Sequence, residues 1–191
     1  MRYKKSSRTK DYLTSFIILF ITSVISSLGG LSFQSIEVLI AKVLPILVIF
    51  PSLNDLMGNF AIIFSSKFTT WLYEGSIKEA YAFDNNKMKK LLKEISFAGF
   101  QFSILIAVFG ILIAFINEGN LNPLSSIKVI LISIIVVQVM IIFLFLLITI
   151  IGIILFKKNK NPDDVLIPIS TAIADFLTMI YLATFVLLFF R

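Results

Sequence analysis

Neither cysteine nor histidine occurs in this 191-residue chain. The first absence excludes disulfides, thiol catalysis and sulfur-liganded metals, and the second removes the usual proton shuttle near neutral pH. Any bound metal must therefore be held by oxygen. Charge is also scarce: 15% of residues are charged against 58% hydrophobic, too little polar material to coat a soluble domain. There is no glycine-rich phosphate loop and no nucleophile with a partnered base, so an enzyme is not expected. What is there instead is long apolar runs, which predict an all-α integral membrane protein in contact with the lipid bilayer.

Five regions reach the roughly 20 apolar residues that a spanning helix needs. They cover about 12–33, 36–70, 95–116, 127–156 and 165–190. The first is about 20 residues long with no small-residue cleavage site after it, so it reads as a retained helix and not a signal peptide. The second contains Lys42, Pro45, Pro51, Asp55, Gly58 and Asn59 and is predicted to be bent or broken near Pro51 and Gly58. The fourth carries Gln138 as its strongly polar interior residue and is long enough to tilt or protrude. The net charge of +6 would suggest nucleic acid in a soluble protein, but the basic residues cluster beside apolar runs. Arg2, Lys4, Lys5, Arg8 and Lys10 precede the first run, Lys78, Lys87, Lys89, Lys90 and Lys93 follow the second, and Lys157, Lys158 and Lys160 follow the fourth. The alternate loops hold chiefly Glu37, Lys42, Glu118 and Lys128. The positive-inside rule then puts the N-terminus in the cytosol and the C-terminus outside, in a multi-pass protein of the cell membrane with no nucleic-acid partner. No repeat and no soluble regulatory domain is legible, so residues 1–191 read as a single transmembrane domain.

Asp175 lies well inside the last run, where an ionised carboxylate costs about 2.5 kcal/mol or more unless solvated, paired or metal-bound. Helical spacing puts Thr171 and Thr178 one turn either side of it, on a stripe that can line a polar path. The plainer alternative is an aspartate that bonds a neighbouring helix as packing glue. In the second run Pro51, Asp55, Gly58 and Asn59 follow i, i+4, i+7, i+8 spacing, with Ser52 and Ser66 near the same face. Carboxylate, amide and freed carbonyl oxygens suit Mg²⁺ or Ca²⁺, not zinc or copper. Asp55 has the alternative of pairing with Lys42, Lys67 or a partner helix for stability, and Gly58 that of close helix packing. Asn161, Pro162, Asp163 and Asp164 carry ordinary helix-start signals. Asp163 and Asp164 also stand where they could concentrate cations at a cytosolic mouth.

Pro51-Ser-Leu-Asn-Asp-Leu-Met-Gly58-Asn59, continuing through Ser66, Thr70 and Gly75, resembles the signature of the MgtE-like magnesium transporters. Asn161-Pro162-Asp163-Asp164 with Pro168, Thr171, Asp175 and Thr178 is similar to the final-helix signature of the same family, in the right order on a five-span unit. The resemblance implies a homodimer that conducts or exchanges Mg²⁺ through a pore formed by the second and fifth helices. Asp175 would be the cation-coordinating carboxylate, and Gly58 and Asn59 the matching pair on the other pore helix. Ile62 and Ile63 stand where the bacterial form repeats Gly-Asn-Gln, which brings the chain nearer the animal solute-carrier relatives. Asp55 replaces a commoner glycine, and no cytosolic magnesium-sensing domain is present within these residues. The reading is a Mg²⁺ transporter or channel, with Asp175, Asn59 and Asp55 as metal ligands and Mn²⁺ and Co²⁺ as competitors for the same oxygens. Two alternatives stand beside it: a Na⁺- or H⁺-coupled exporter, and a non-transporting membrane assembly or anchoring protein.

Overall fold

The computed structural model describes residues 8–34, 36–38, 43–78, 81–119, 122–158 and 162–190, the side chains of 8–12, 14–15, 33, 118 and 162–164 excepted. Among the described residues there are five long α-helices and no strand. They are α1 (Arg8–Gln34), α2 (Leu44–Tyr73), α3 (Asn86–Glu118), α4 (Pro123–Lys157) and α5 (Pro162–Phe190). Within them Leu44–Tyr73, Asn86–Asn117, Pro123–Lys157 and Val165–Phe190 are long and apolar enough to cross a bilayer, while the apolar part of α1, Phe16–Ser32, is shorter.

The ends of the helices follow local chemistry. Asn85 caps α3 by accepting from the Lys87 amide at 2.8 Å, and Asn122 caps α4 by accepting from the Leu124 amide at 3.0 Å, with Pro123 ahead of it. Each cap satisfies an orphan donor of a first turn. α3 ends on Gly119, whose φ of 70° is the left-handed region that glycine enters without strain, and whose amide donates to the Phe115 carbonyl at 2.9 Å. At 33 residues α3 is roughly 50 Å long, against a hydrocarbon core of about 30 Å. Its first turns, with Lys87, Lys89, Lys90 and Lys93, therefore belong to the headgroup region and water. That is why the helix begins nine residues before the apolar run that the sequence marks.

Of the bend or break expected in the second region, the break is absent from α2. The helix starts at Leu44 with Pro45 in its first turn, and it runs unbroken through Pro51 and Gly58. Pro45 is where proline fits a helix, since the missing amide hydrogen is unused there. Pro51 removes one rung of the ladder on the exposed face of the helix.

α2 packs against α3, α4 and α5, and α1 packs against α5. Ile46, Ile49, Leu53, Met57, Phe60, Phe64 and Phe68 recur at three- and four-residue spacing and are buried, one stripe of α2 facing the core. In a bilayer apolar burial gives little net drive, and helices are held by close packing and interhelical hydrogen bonds. Such bonds are present: Ser65 and Ser170 meet at 3.0 Å between α2 and α5, and Gln138 of α4 donates to the Ser96 carbonyl of α3 at 3.0 Å. The Ser96 hydroxyl returns a bond to the Gln138 amide oxygen, which accounts for the polar residue in the fourth run. The face of α2 opposite the core carries Pro51, Ser52, Asp55, Asn59, Ile62, Ser66 and Thr70, all exposed.

Candidate functional site

Where that face of α2 meets α5 lies a cleft of about 490 Å³, lined by Phe50, Pro51, Asn54, Asp55, Gly58, Asn59, Ile62, Thr171, Asp175 and Met179. Two apolar helices thus bring two carboxylates, two amides and a hydroxyl to one opening. The α5 contribution follows the helical repeat: Thr171, Asp175 and Met179 are spaced by four residues. The α2 contribution is a wider strip because Pro51, Asn54, Asp55, Gly58 and Asn59 span adjacent rows of the same face.

Asp175 sits near the middle of α5 and is partly buried. Both of its oxygens accept hydrogen bonds: Oδ2 from the Ser26 hydroxyl of α1 at 2.7 Å, and Oδ1 from the Asn54 amide nitrogen of α2 at 3.0 Å. A charged acceptor makes such bonds about twice as strong as neutral ones, so three helices converge on one carboxylate. Asp55 is exposed, and its Oδ2 accepts from the Asn59 amide at 3.0 Å, one turn on along α2. Lys67 does not form an ion pair with it among the described residues, and Lys42 lies outside them. A β-carbon built on Gly58 would meet only Asp175 Oδ1, at 3.9 Å. Within one copy of the chain, no other described helix packs closely against that glycine.

The single Thr171 hydroxyl proton is shared between the Ile167 and Pro168 carbonyls, each at 3.0 Å, and its oxygen keeps its capacity to accept. Thr178, the other member of that stripe in the sequence, is fully buried with its hydroxyl unpartnered and is not among the lining residues. The side chains of Asp163 and Asp164 lie outside the described ones, although both residues fall in the first turn of α5. The structure adds two polar partners that spacing alone did not single out, Ser26 and Asn54. Among the described residues no three acidic side chains converge. The donor set is all oxygen with few charges, which matches a hard cation that keeps part of its water.

A family model described as MgtE, divalent cation transporter, matches residues 50–185, from the first lining residue of the cleft in α2 to the last turns of α5. Neither a curated protein nor a solved structure matches the chain.

Proposed function

Because the chain belongs to the MgtE family of divalent cation transporters, we propose that it carries Mg²⁺ across the cell membrane as a homodimer, along a path lined by α2 and α5 with Asp175 at its centre. One observation carries this reading: the Asp175 carboxylate, near the middle of an apolar helix, opens on a cleft of about 490 Å³ that it shares with Asp55, Gly58, Asn59 and Thr171. A hexahydrated ion needs six waters at about 30 Å³ each, roughly 180 Å³, so the cleft has room for Mg²⁺ with its shell. The carboxylates stabilise the charge, and the amide and hydroxyl oxygens accept from the bound waters. Mn²⁺ and Co²⁺ compete for the same oxygens.

The homodimer is supported by what α2 leaves uncovered. Asp55, Asn59, Ser66 and Thr70 are exposed along one face of a spanning helix, and a charged group facing hydrocarbon costs about 2.5–3.5 kcal/mol. A second copy related by a two-fold axis would lay the same strip opposite, the self-complementary arrangement that such symmetry requires. The enclosed strips would continue the path from Asp175 toward the basic end of the bundle, with Lys78 after α2 and Lys87 and Lys90 in the first turns of α3. Positive charge at that end orients it to the cytosol, with the N-terminus inside and the C-terminus outside.

The test is flux. Purified protein in liposomes takes up Mg²⁺, read with an enclosed magnesium-sensitive dye, and Asp175→Asn lowers the initial rate at least about tenfold, the loss of roughly 1.4 kcal/mol of ion binding. Equal rates for the two proteins would overturn the reading.

A further inference from the structure

We propose that Ser26 of α1 and Asn54 of α2 are positioning residues for Asp175 that set its preference among divalent cations, with Gly29 seating α1 close enough for Ser26 to reach. The proposal rests on the reading of Asp175 as the ion-binding carboxylate and goes on to say what tunes it.

A serine in an apolar helix ordinarily satisfies its hydroxyl on its own backbone. Ser23 and Ser27 do so, donating at 2.8 Å to the Leu19 and Ser23 carbonyls. Ser26, between them, instead donates across to Asp175 Oδ2 at 2.7 Å. That reach depends on how near α1 lies to α5. One turn on, a β-carbon at Gly29 would stand 2.7 Å from Met179 Sδ and 3.1 Å from Phe176 Cα. The second of these is backbone, directly after Asp175, and cannot rotate away. A side chain at position 29 would require α1 and α5 to part by a few tenths of an ångström, which lengthens the Ser26 bond.

Asn54 holds the other oxygen. Its amide nitrogen donates to Asp175 Oδ1 at 3.0 Å, while its own Oδ1 is buried and makes no hydrogen bond. An ionised carboxylate accepts only, so the amide must present its nitrogen there. The two donors come from different helices and fix the plane of the carboxylate. They also occupy one position on each of its oxygens, out of about four in all. Fewer positions then remain for a direct bidentate bond, which Ca²⁺ uses readily. An ion that arrives with its own water donors, as Mg²⁺ does, loses less. The pair of hydrogen bonds thus favours the tightly hydrated cation.

The experiment compares half-saturating Mg²⁺ and Ca²⁺ in proteoliposomes, using monodisperse protein for every variant. Ser26→Ala and Asn54→Ala are expected to move the Ca²⁺-to-Mg²⁺ preference toward Ca²⁺ by at least about fivefold, and Ser26→Thr, which keeps the hydroxyl, restores the wild-type ratio. Gly29→Ala gives the Ser26→Ala ratio, and the double variant adds nothing further. If Gly29→Ala does not fold, the Ser26→Ala and Ser26→Thr pair decides alone. Ratios within twofold of wild type in both alanine variants overturn the proposal, while loss of flux in Asp175→Asn still supports the ion-binding role beneath it. Flux that survives Asp175→Asn overturns both.

Discussion

Gly58 offers a perturbation in which stability and transport should move in opposite directions. Its side of α2 is open: a β-carbon there would meet only Asp175 Oδ1, at 3.9 Å, an ordinary contact. Glycine inside a helix is less favourable than alanine by roughly 0.5–1 kcal/mol. Gly58→Ala is therefore expected to stabilise the protein by about that amount, or roughly 1–4 °C in the unfolding midpoint for a chain of this size. The same methyl group stands beside the carboxylate and displaces about one water's volume, roughly 30 Å³, from the cleft. Losing one water contact from the ion's shell is expected to raise half-saturating Mg²⁺ severalfold. Thermal unfolding in detergent and liposome flux on the same preparation read the two effects. A midpoint several degrees lower than wild type would mean that Gly58 is packed against something, contrary to the geometry. A raised midpoint with unchanged flux would remove Gly58 from the ion path.

Other substitutions separate packing from function. At Gly110 a β-carbon would lie 2.1 Å from Ile49 Cγ2 and 3.2 Å from the Pro45 carbonyl oxygen, so Gly110→Ala forces α3 away from α2 and should destabilise by about 1–3 kcal/mol in an unfolding assay. Gln138→Leu removes both bonds between α3 and α4 and should cost about 1–2 kcal/mol, with the ion preference unchanged. Lys128 donates to the Phe189 carbonyl at 2.6 Å, a cation at the C-terminal end of α5, and Lys128→Met should lower the unfolding midpoint by a few degrees at most. Asp84 in the α2–α3 turn is held below the ordinary carboxylate range by the Lys89 hydrogen bond and then by its charge. Its small stabilisation is full above the ordinary value of about 3.9 and is lost as pH falls through the lowered one. Asp84→Asn should therefore differ slightly from wild type at neutral pH and converge with it in strong acid, the difference shrinking with added salt.

How much of this could be read from the residues depends on how ambiguous each residue is alone. Asp175 was legible because a carboxylate deep in an apolar run has few inexpensive explanations. Pro51, Asp55, Gly58 and Asn59 were legible as a spacing, and Thr171 as a neighbour of Asp175 one turn back. The cleft gathers all six. Thr178 has the same sequence credentials as Thr171, yet it turns into the core. A stripe defined by i−4 and i+3 covers a broad arc, and only the packing of α5 decides which edge faces the cleft. Ser26 was hidden for a different reason: serine in a span usually bonds its own helix, as Ser23 and Ser27 do, and the sequence does not say which one reaches across. Asn54 was masked by its charged neighbour Asp55, which fitted the template better. α2 begins at Leu44, eight residues into the apolar stretch that opens at position 36, because apolar character alone does not record where a helix begins. Pro45 does record it, but the same residue also fits a kink.

We propose that Asp175 carboxylates from two copies hold a hydrated divalent cation near a shared axis. The most direct measurement is a structure of the protein in lipid with Mn²⁺ in place of Mg²⁺, using the metal's anomalous signal to locate it. The expected result is a two-fold dimer with the ion between the two Asp175 side chains, bridged by water, and loss of that signal in Asp175→Asn. A dimer whose metal lies away from α5, or a metal signal that persists in Asp175→Asn, would contradict it.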